Sequence, residues 1–339
     1  MSTEKTVYDA DDSSLISHVH HNHHLSDDNK TPRPDMPEPN CSDDYHPCVI
    51  IRTDQSQLHG VRILCLSDTH DFQKGMPVKN KLPRADILVH SGDFTTRGTA
   101  EEVANFQAWM QELLATGVVN HVVVIAGNHE LTFEPWKAKH PAVRARQEQV
   151  KESLISVPDL HYLEDSSVEL CGLRFYGAPW TLPIAGKMDW AFQMREADLA
   201  KKWALISPVD VLITHSPPLG QGDELRFVDS NANSTASESL STSTSSSAAV
   251  AVVAAASSYS SSSSGGDSLR RAGKVAGHIG SATLLARVEQ VQPLVHIFGH
   301  FHEGYGVSYK QGLRTVFINA AVCDSDYQPE NRPILIRFE

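Results

Sequence analysis

One pattern recurs five times along this chain: a short apolar run stops at a polar motif built from Asp, His, Asn, Thr and Gly. In order, the motifs are Asp68-Thr69-His70, Gly92-Asp93, Gly127-Asn128-His129-Glu130, Thr214-His215 and Gly299-His300-Phe301-His302. The runs before them include residues 61–66 (VRILCL), 85–90 (ADILVH), 122–126 (VVVIA), 209–214 (VDVLIT) and 294–298 (LVHIF). Such runs read as buried strands. Strand ends are where an α/β scaffold holds polar groups rigidly along a common edge.

The segments between the runs support an α/β reading. Thr99 is placed to cap a helix, with Glu102 three residues on completing a capping box. Val103, Phe106, Met110, Leu113 and Leu114 share one face of that helix, and Gly117 ends it. A strand, a helix and a strand in succession imply parallel pairing through a right-handed crossover. Residues 168–176 alternate as a hairpin around Gly172. Residues 191–205 and 281–291 read as helices, and 305–309, 313–318 and 333–338 as further, antiparallel strands. His90, His121, His278 and His296 stand singly and read as packed or surface imidazoles.

Two stretches fall outside this plan. Residues 1–58 are rich in Asp, Ser, Pro and His and read as a disordered polar tail. Its run at 18–24 (HVHHNHH) has at most a weak, incidental affinity for transition metals. The folded domain is then expected over 59–339, interrupted at 229–268 by a flexible Ser/Ala-rich insertion. Insertions of that kind are tolerated because loop closure costs only logarithmically more with length.

Composition narrows the classes. A net charge of −12 argues against a general electrostatic grip on nucleic acid or anionic membrane. The longest aliphatic stretch, 248–256, is far below the roughly 20 residues a spanning helix needs. The N-terminus lacks a secretory pattern. Five irregularly spaced cysteines, with Cys65 and Cys171 in apolar runs as buried thiols, suit a reducing compartment. A soluble cytoplasmic protein is expected.

The motifs together offer imidazole, carboxylate and amide donors, a mixture suited to Mn²⁺, Fe or Zn²⁺. Gly92, Gly127 and Gly299 beside those donors point to sharp turns that need positive φ or close backbone approach. In motif order and wording the chain resembles the calcineurin-like metallophosphoesterase superfamily. The stretches 299–306 (GHFHEGYG), 318–324 (INAAVCD) and 327–333 (YQPENRP) resemble its metallophosphoesterase-domain-containing branch. The resemblance covers about residues 60–339, minus the insertion.

This resemblance implies an α/β fold, a two-sheet β-sandwich flanked by α-helices. It implies two divalent metals, one held by Asp68, His70, Asp93 and His302, the other by Asp93, Asn128, His215 and His300. Asp93 would bridge them and lessen their repulsion. A hydroxide between the metals would attack phosphorus. His129 would protonate or stabilise the leaving oxygen, a task suited to an imidazole. Arg97 matches a phosphate-binding position of the related protein phosphatases. Those enzymes read Gly-Asp-x-x-Asp-Arg-Gly and place Arg before Gly-Asn-His-Glu, whereas this chain has Thr96 and Ala126 there. The expected function is therefore phosphodiesterase action on small phosphodiesters such as cyclic nucleotides. The alternatives are a broad phosphomonoesterase or protein phosphatase, and a nucleotide-binding scaffold with weak turnover. Protein partners would use the tail or the insertion.

Overall fold

A computed structural model describes residues 16–17, 47–72, 82–183, 188–225 and 277–339. The N-terminal half builds one sheet from β1 (Ile16–Ser17), β2 (Cys48–Ile51), β3 (Arg62–Leu66), β4 (Ala85–His90), β5 (Val119–Val124) and β6 (Leu160–Tyr162). A second sheet contains β7 (Ser166–Leu170), β8 (Leu173–Ala178), β9 (Val211–Thr214), β12 (Val295–Phe298), β13 (Gly306–Tyr309) and β14 (Val316–Asn319). A short ribbon pairs β10 (Glu224–Leu225) with β11 (Gly277–His278), and the last strand, β15 (Ile334–Phe338), returns to the first sheet. The strand orders are β1-β2-β15-β3-β4-β5-β6 and β13-β14-β12-β9-β8-β7.

Every run that precedes a motif lies in a parallel block. β3, β4, β5 and β6 run parallel in the first sheet, and β8, β9, β12 and β14 in the second. Period-two alternation sends Ile63, Cys65, Ile87, Val89 and Val123 inward, where they meet Phe175, Val211, Ile213, Ile297 and Ile318 of the opposite sheet. Leu64, Leu88, Val122 and Val124 face outward. They share a core with Val103, Phe106, Met110 and Leu113 of helix α1 (Ala100–Ala115). On the other outer side Leu212, Phe298 and Phe317 join Leu199 and Trp203 of α3 (Glu196–Trp203), and Leu284 and Val288 of α4 (Ala282–Val291). The layers are helix, sheet, sheet, helix, as the resemblance implies.

The capping box forms at α1: Glu102 N donates to Thr99 Oγ1, and Thr99 N to the Glu102 carboxylate. Other expectations are corrected. The fold begins before residue 59, because β2 pairs parallel with β15 and buries Val49, Ile51 and, just beyond it, Leu58. A four-residue apolar run after a polar stretch carries too little periodicity to be recognised alone. The rest of the expected tail, and the insertion at 229–268, lie outside the described residues.

The helix expected at 191–205 starts only at Glu196. The backbone before it is engaged elsewhere, with Ala191 N donating to Asn128 O and Phe192 N to Glu134 Oε2. A helix not anticipated, α2 (Pro141–Ile155), buries only Leu154. The three C-terminal strands are not a simple antiparallel set: β13 is antiparallel to β14, β14 is parallel to β12, and β15 joins the other sheet. Cys171 is exposed at the hairpin turn with φ +50°, while Cys65 is buried. Among the described residues, no helix is long and apolar enough to cross a membrane.

Phe106 is fully buried and stacks on Phe94 with ring centres 4.3 Å apart. Phe106→Ala is expected to lower the unfolding free energy by about 3–5 kcal/mol, read by urea denaturation. A loss below about 1 kcal/mol would contradict this packing.

Candidate metal centre

Because the motif-bearing strands are parallel, their carboxyl ends reach the same edge of the sandwich. The two sheets are tied there: Ser67 bridges Ala321, and Val322 N donates to Ser67 O. Asp68, His70, Asp93, Asn128, His129, His215, His300 and His302 all lie at this edge, none more than 8% exposed.

Turn geometry delivers these side chains. Asp68, His70, Asp93 and His300 have φ of +53°, +43°, +53° and +71°. Non-glycine residues rarely adopt such values, and they persist only where the surroundings over-determine them. Gly92 has φ +100°, and a Cβ there would lie 2.8 Å from Ala126 O. Gly299 has an ordinary φ but lies so close to the Asp68 carboxylate and the Ser67 hydroxyl that no side chain fits.

Three of the imidazoles share one orientation. Nδ1–H of His70 donates to Thr95 O at 3.3 Å, that of His215 to Ser91 O at 3.0 Å, and that of His302 to Asp324 O at 2.7 Å. This fixes each ring and turns its Nε2 lone pair inward. His70 Nε2 and His302 Nε2 then stand 3.2 Å apart, and His302 Nε2 lies 3.5 Å from Asp68 Oδ1. On the other side His215 Nε2 lies 3.0 Å from Asn128 Oδ1 and 3.2 Å from Asp93 Oδ2. His300 Nε2 is buried without a hydrogen-bond partner. Acceptors that face one another in a buried space favour a cation between them. Three donor groups meet the reach of one ion: Asp68–His70–His302, Asp93–His215–His300 and His70–Asp93–His129. The residues present therefore fit a divalent metal pair, with nitrogen and oxygen donors only.

The electrostatics agree. Burial alone would push the Asp93 carboxyl up, but His215, His129 and His70 outweigh it and hold Asp93 well below the usual range. Asp68 is likewise lowered against its burial by His302 and His215. Burial pulls His215 down, yet Asp93 more than compensates and lifts it to about 9. His70 and His300 are pushed down by burial to about 4 and about 3.

Several residues here were not assigned from sequence. Glu130, the last residue of the third motif, has no role that the sequence alone assigns. Its fully buried carboxylate accepts from Asp93 N, Thr95 N, Thr95 Oγ1 and Gly127 N, which locks two donor loops together. Burial, with Asp93 nearby, pushes it up to about 8. Trp190 lies over His129, ring centres 4.3 Å apart, and no local pattern announced it. Tyr327 brings its ring within 4.9 Å of both His70 and His302. Arg97 is placed at the rim, exposed, its guanidinium carbon 5.6 Å from the Trp190 ring centre.

A family model described as calcineurin-like phosphoesterase matches residues 61–304. Human metallophosphoesterase domain-containing protein 1 is 34% identical over 288 residues, covering 81% of this chain and 70% of the human one. A UPF0046 protein of Caenorhabditis elegans is 33% identical over 280 residues, covering 81% of this chain and 80% of its own. A solved Thermus thermophilus structure covers 77% of this chain and 88% of its own at a TM-score of 0.39 and 12% identity. The chain belongs to the calcineurin-like phosphoesterase family, whose members are metal-dependent hydrolases of phosphoric esters.

Metal removal exposes these charges to titration. His70, His90, His296 and His300 are held down to about 3–4 by burial, against an ordinary 6.5. Each takes up a proton on unfolding, so stability rises with pH between about 4 and 6.5. Raised groups act oppositely: His215 (6.5 to about 9) and Glu130 (4.5 to about 8) bind protons more tightly when folded. Their effect is to lower stability as pH rises through those windows. Below pH 6.5 Glu130 opposes four imidazoles, so the sum still rises. Chelated protein is therefore expected to be most stable near pH 6.5 and weaker at pH 5 and pH 9, by denaturant titration. A steady rise to pH 9 would contradict this charge arrangement.

Proposed function

We propose that this centre is a two-metal phosphodiesterase acting on small phosphodiesters, cyclic nucleotides among them. Asp68, His70, Asp93 and His302 hold one metal, and Asp93, Asn128, His215 and His300 hold the other. The observation that carries this reading is that two donor groups, Asp68–His70–His302 and Asp93–His215–His300, lie side by side with His70 and Asp93 also within reach of each other, and buried imidazole nitrogens face one another across short gaps. We take the metal to be Mn²⁺, and the same mixed donors are compatible with Fe or Zn²⁺. When bound, the metals supply an acidified water and positive charge for the phosphoryl oxygens.

The chain's own groups do the rest. His129 donates Nδ1–H to Thr96 O at 2.6 Å, and its backbone N–H to Asp93 Oδ1 at 2.8 Å. The ring is thereby fixed with Nδ1–H engaged, and in its doubly protonated form Nε2–H gives its proton to the leaving oxygen, which leaves the ring neutral. Trp190 covers one face of that ring and limits access of bulk water to it. Arg97, standing at the rim, has a forked guanidinium suited to a substrate phosphate oxygen. Diester preference is favoured by Thr96 and Ala126, which stand where protein phosphatases carry Asp and Arg. Ala126 is fully buried in the apolar core. The buried thiols of Cys65 and Cys323 suit the reducing cytoplasm that we assign as its setting.

With Mn²⁺, bis(p-nitrophenyl) phosphate is expected to be hydrolysed faster than p-nitrophenyl phosphate, and Asp93→Ala to abolish both activities. A monoester preference would move the reading to a phosphatase. His129 also falls within reach of one donor group. As a proton donor, its replacement in His129→Ala lowers kcat by roughly 10²–10⁴-fold and leaves the bound metal unchanged. Loss of one metal equivalent would make His129 a ligand instead.

A further inference from the structure

Two buried histidines have no place in that chemistry. His90 ends β4 and His296 lies on β12, both fully buried. Each is wrapped by aromatic rings, His90 by Phe94 and Phe106, His296 by Phe298 and Phe317. In both, Nδ1 has no hydrogen-bond partner. Burying a polar nitrogen without a partner is unfavourable, so packing alone does not explain an imidazole at either position.

What each imidazole does have is one bond to a threonine. His296 Nε2 lies 2.8 Å from Thr214 Oγ1. That hydroxyl donates its own proton to Ser216 O at 2.6 Å, so the imidazole Nε2–H is the donor to it. The Thr214–Ser216 link brackets His215. In the other sheet His90 Nε2 lies 3.0 Å from Thr69 Oγ1, and Thr69 stands between Asp68 and His70. Strand register is similar in both. His90 is paired with Leu66 and His296 with Leu212, and each ring reaches forward to a threonine within its neighbour's motif.

We propose that His90 and His296 are positioning residues, each fixing one metal's donors through a threonine hydroxyl. His90–Thr69 holds the turn that presents Asp68 and His70, and His296–Thr214 holds the turn that presents His215. This rests on the two-metal reading above. The left-handed φ of Asp68 and His70 gives such a restraint something to hold, since that backbone would otherwise relax.

The test is calorimetric titration of the metal-free full chain with Mn²⁺, using His215→Ala and His70→Ala to assign the two affinities. His296→Phe and Thr214→Val are expected to weaken the His215 site by about 10–100-fold and to leave the other unchanged. His90→Phe and Thr69→Val should do the reverse. Combining His296→Phe with Thr214→Val should cost no more affinity than either alone, and His296→Gln, which keeps a donor, should recover most of it. The near-isosteric threonine variants keep the test valid if a histidine variant fails to fold. Affinities that fall together at both sites, or that do not move, would overturn the inference and leave these histidines as core packing. Wild-type protein that binds no Mn²⁺ would instead overturn the metal reading itself, and the inference with it.

Discussion

The buried carboxylate of Asp93 is the constraint on which the rest of the site depends. Its backbone is held at φ +53°, with its N–H donated to Glu130, one oxygen accepting from His129 N–H, and the other 3.2 Å from His215 Nε2. A buried carboxylate without compensation is strongly unfavourable. Here the compensation comes from imidazoles carried on both sheets. The charge of one residue therefore requires the two sheets to meet at this edge, where Ser67 and Ala321 close the contact.

Glu130 is the counterpart of that constraint in the first sheet. It is a second buried carboxylate beside the first, an arrangement that raises its own proton affinity. Four donors on its oxygens anchor the loops after β4 and β5. The outward-facing His90–Thr69 and His296–Thr214 bonds brace the turns from behind. The donors are thus set from two directions, by carboxylates within the cleft and by imidazoles beneath the helices. Such support suits a site whose turns hold unfavourable backbone angles.

Much of this was legible in the sequence because the site is built from strand ends. An apolar run that stops at Gly-Asp or Gly-His-x-His reports both the strand and the place where its polar end is delivered. The five motifs were readable in that way, while the seven proposed ligands among them came from the family resemblance; α1 was also readable, because its capping box and apolar face are local signals. Less local features escaped. β2 is held by β15, nearly three hundred residues away along the chain, so its four residues carry little signal of their own. α2 is too polar for a clear apolar stripe, although Pro141 at its first turn marked its start. Trp190 reaches His129 only because Ala191 and Phe192 bond to the loop after β5. His90 and His296 read as ordinary packed imidazoles because their threonine partners are distant in sequence, Thr69 in the turn after β3 and Thr214 at the end of β9.

The central claim is that Asp93 is shared by two metals. It is tested most directly by metal analysis of the full chain, combined with electron paramagnetic resonance of the Mn²⁺ form. The account predicts two Mn²⁺ per chain with the multiline spectrum of an exchange-coupled pair, and loss of that coupling in Asp93→Ala. A single isolated Mn²⁺ signal in the wild type, or a coupled pair that survives Asp93→Ala, would contradict it.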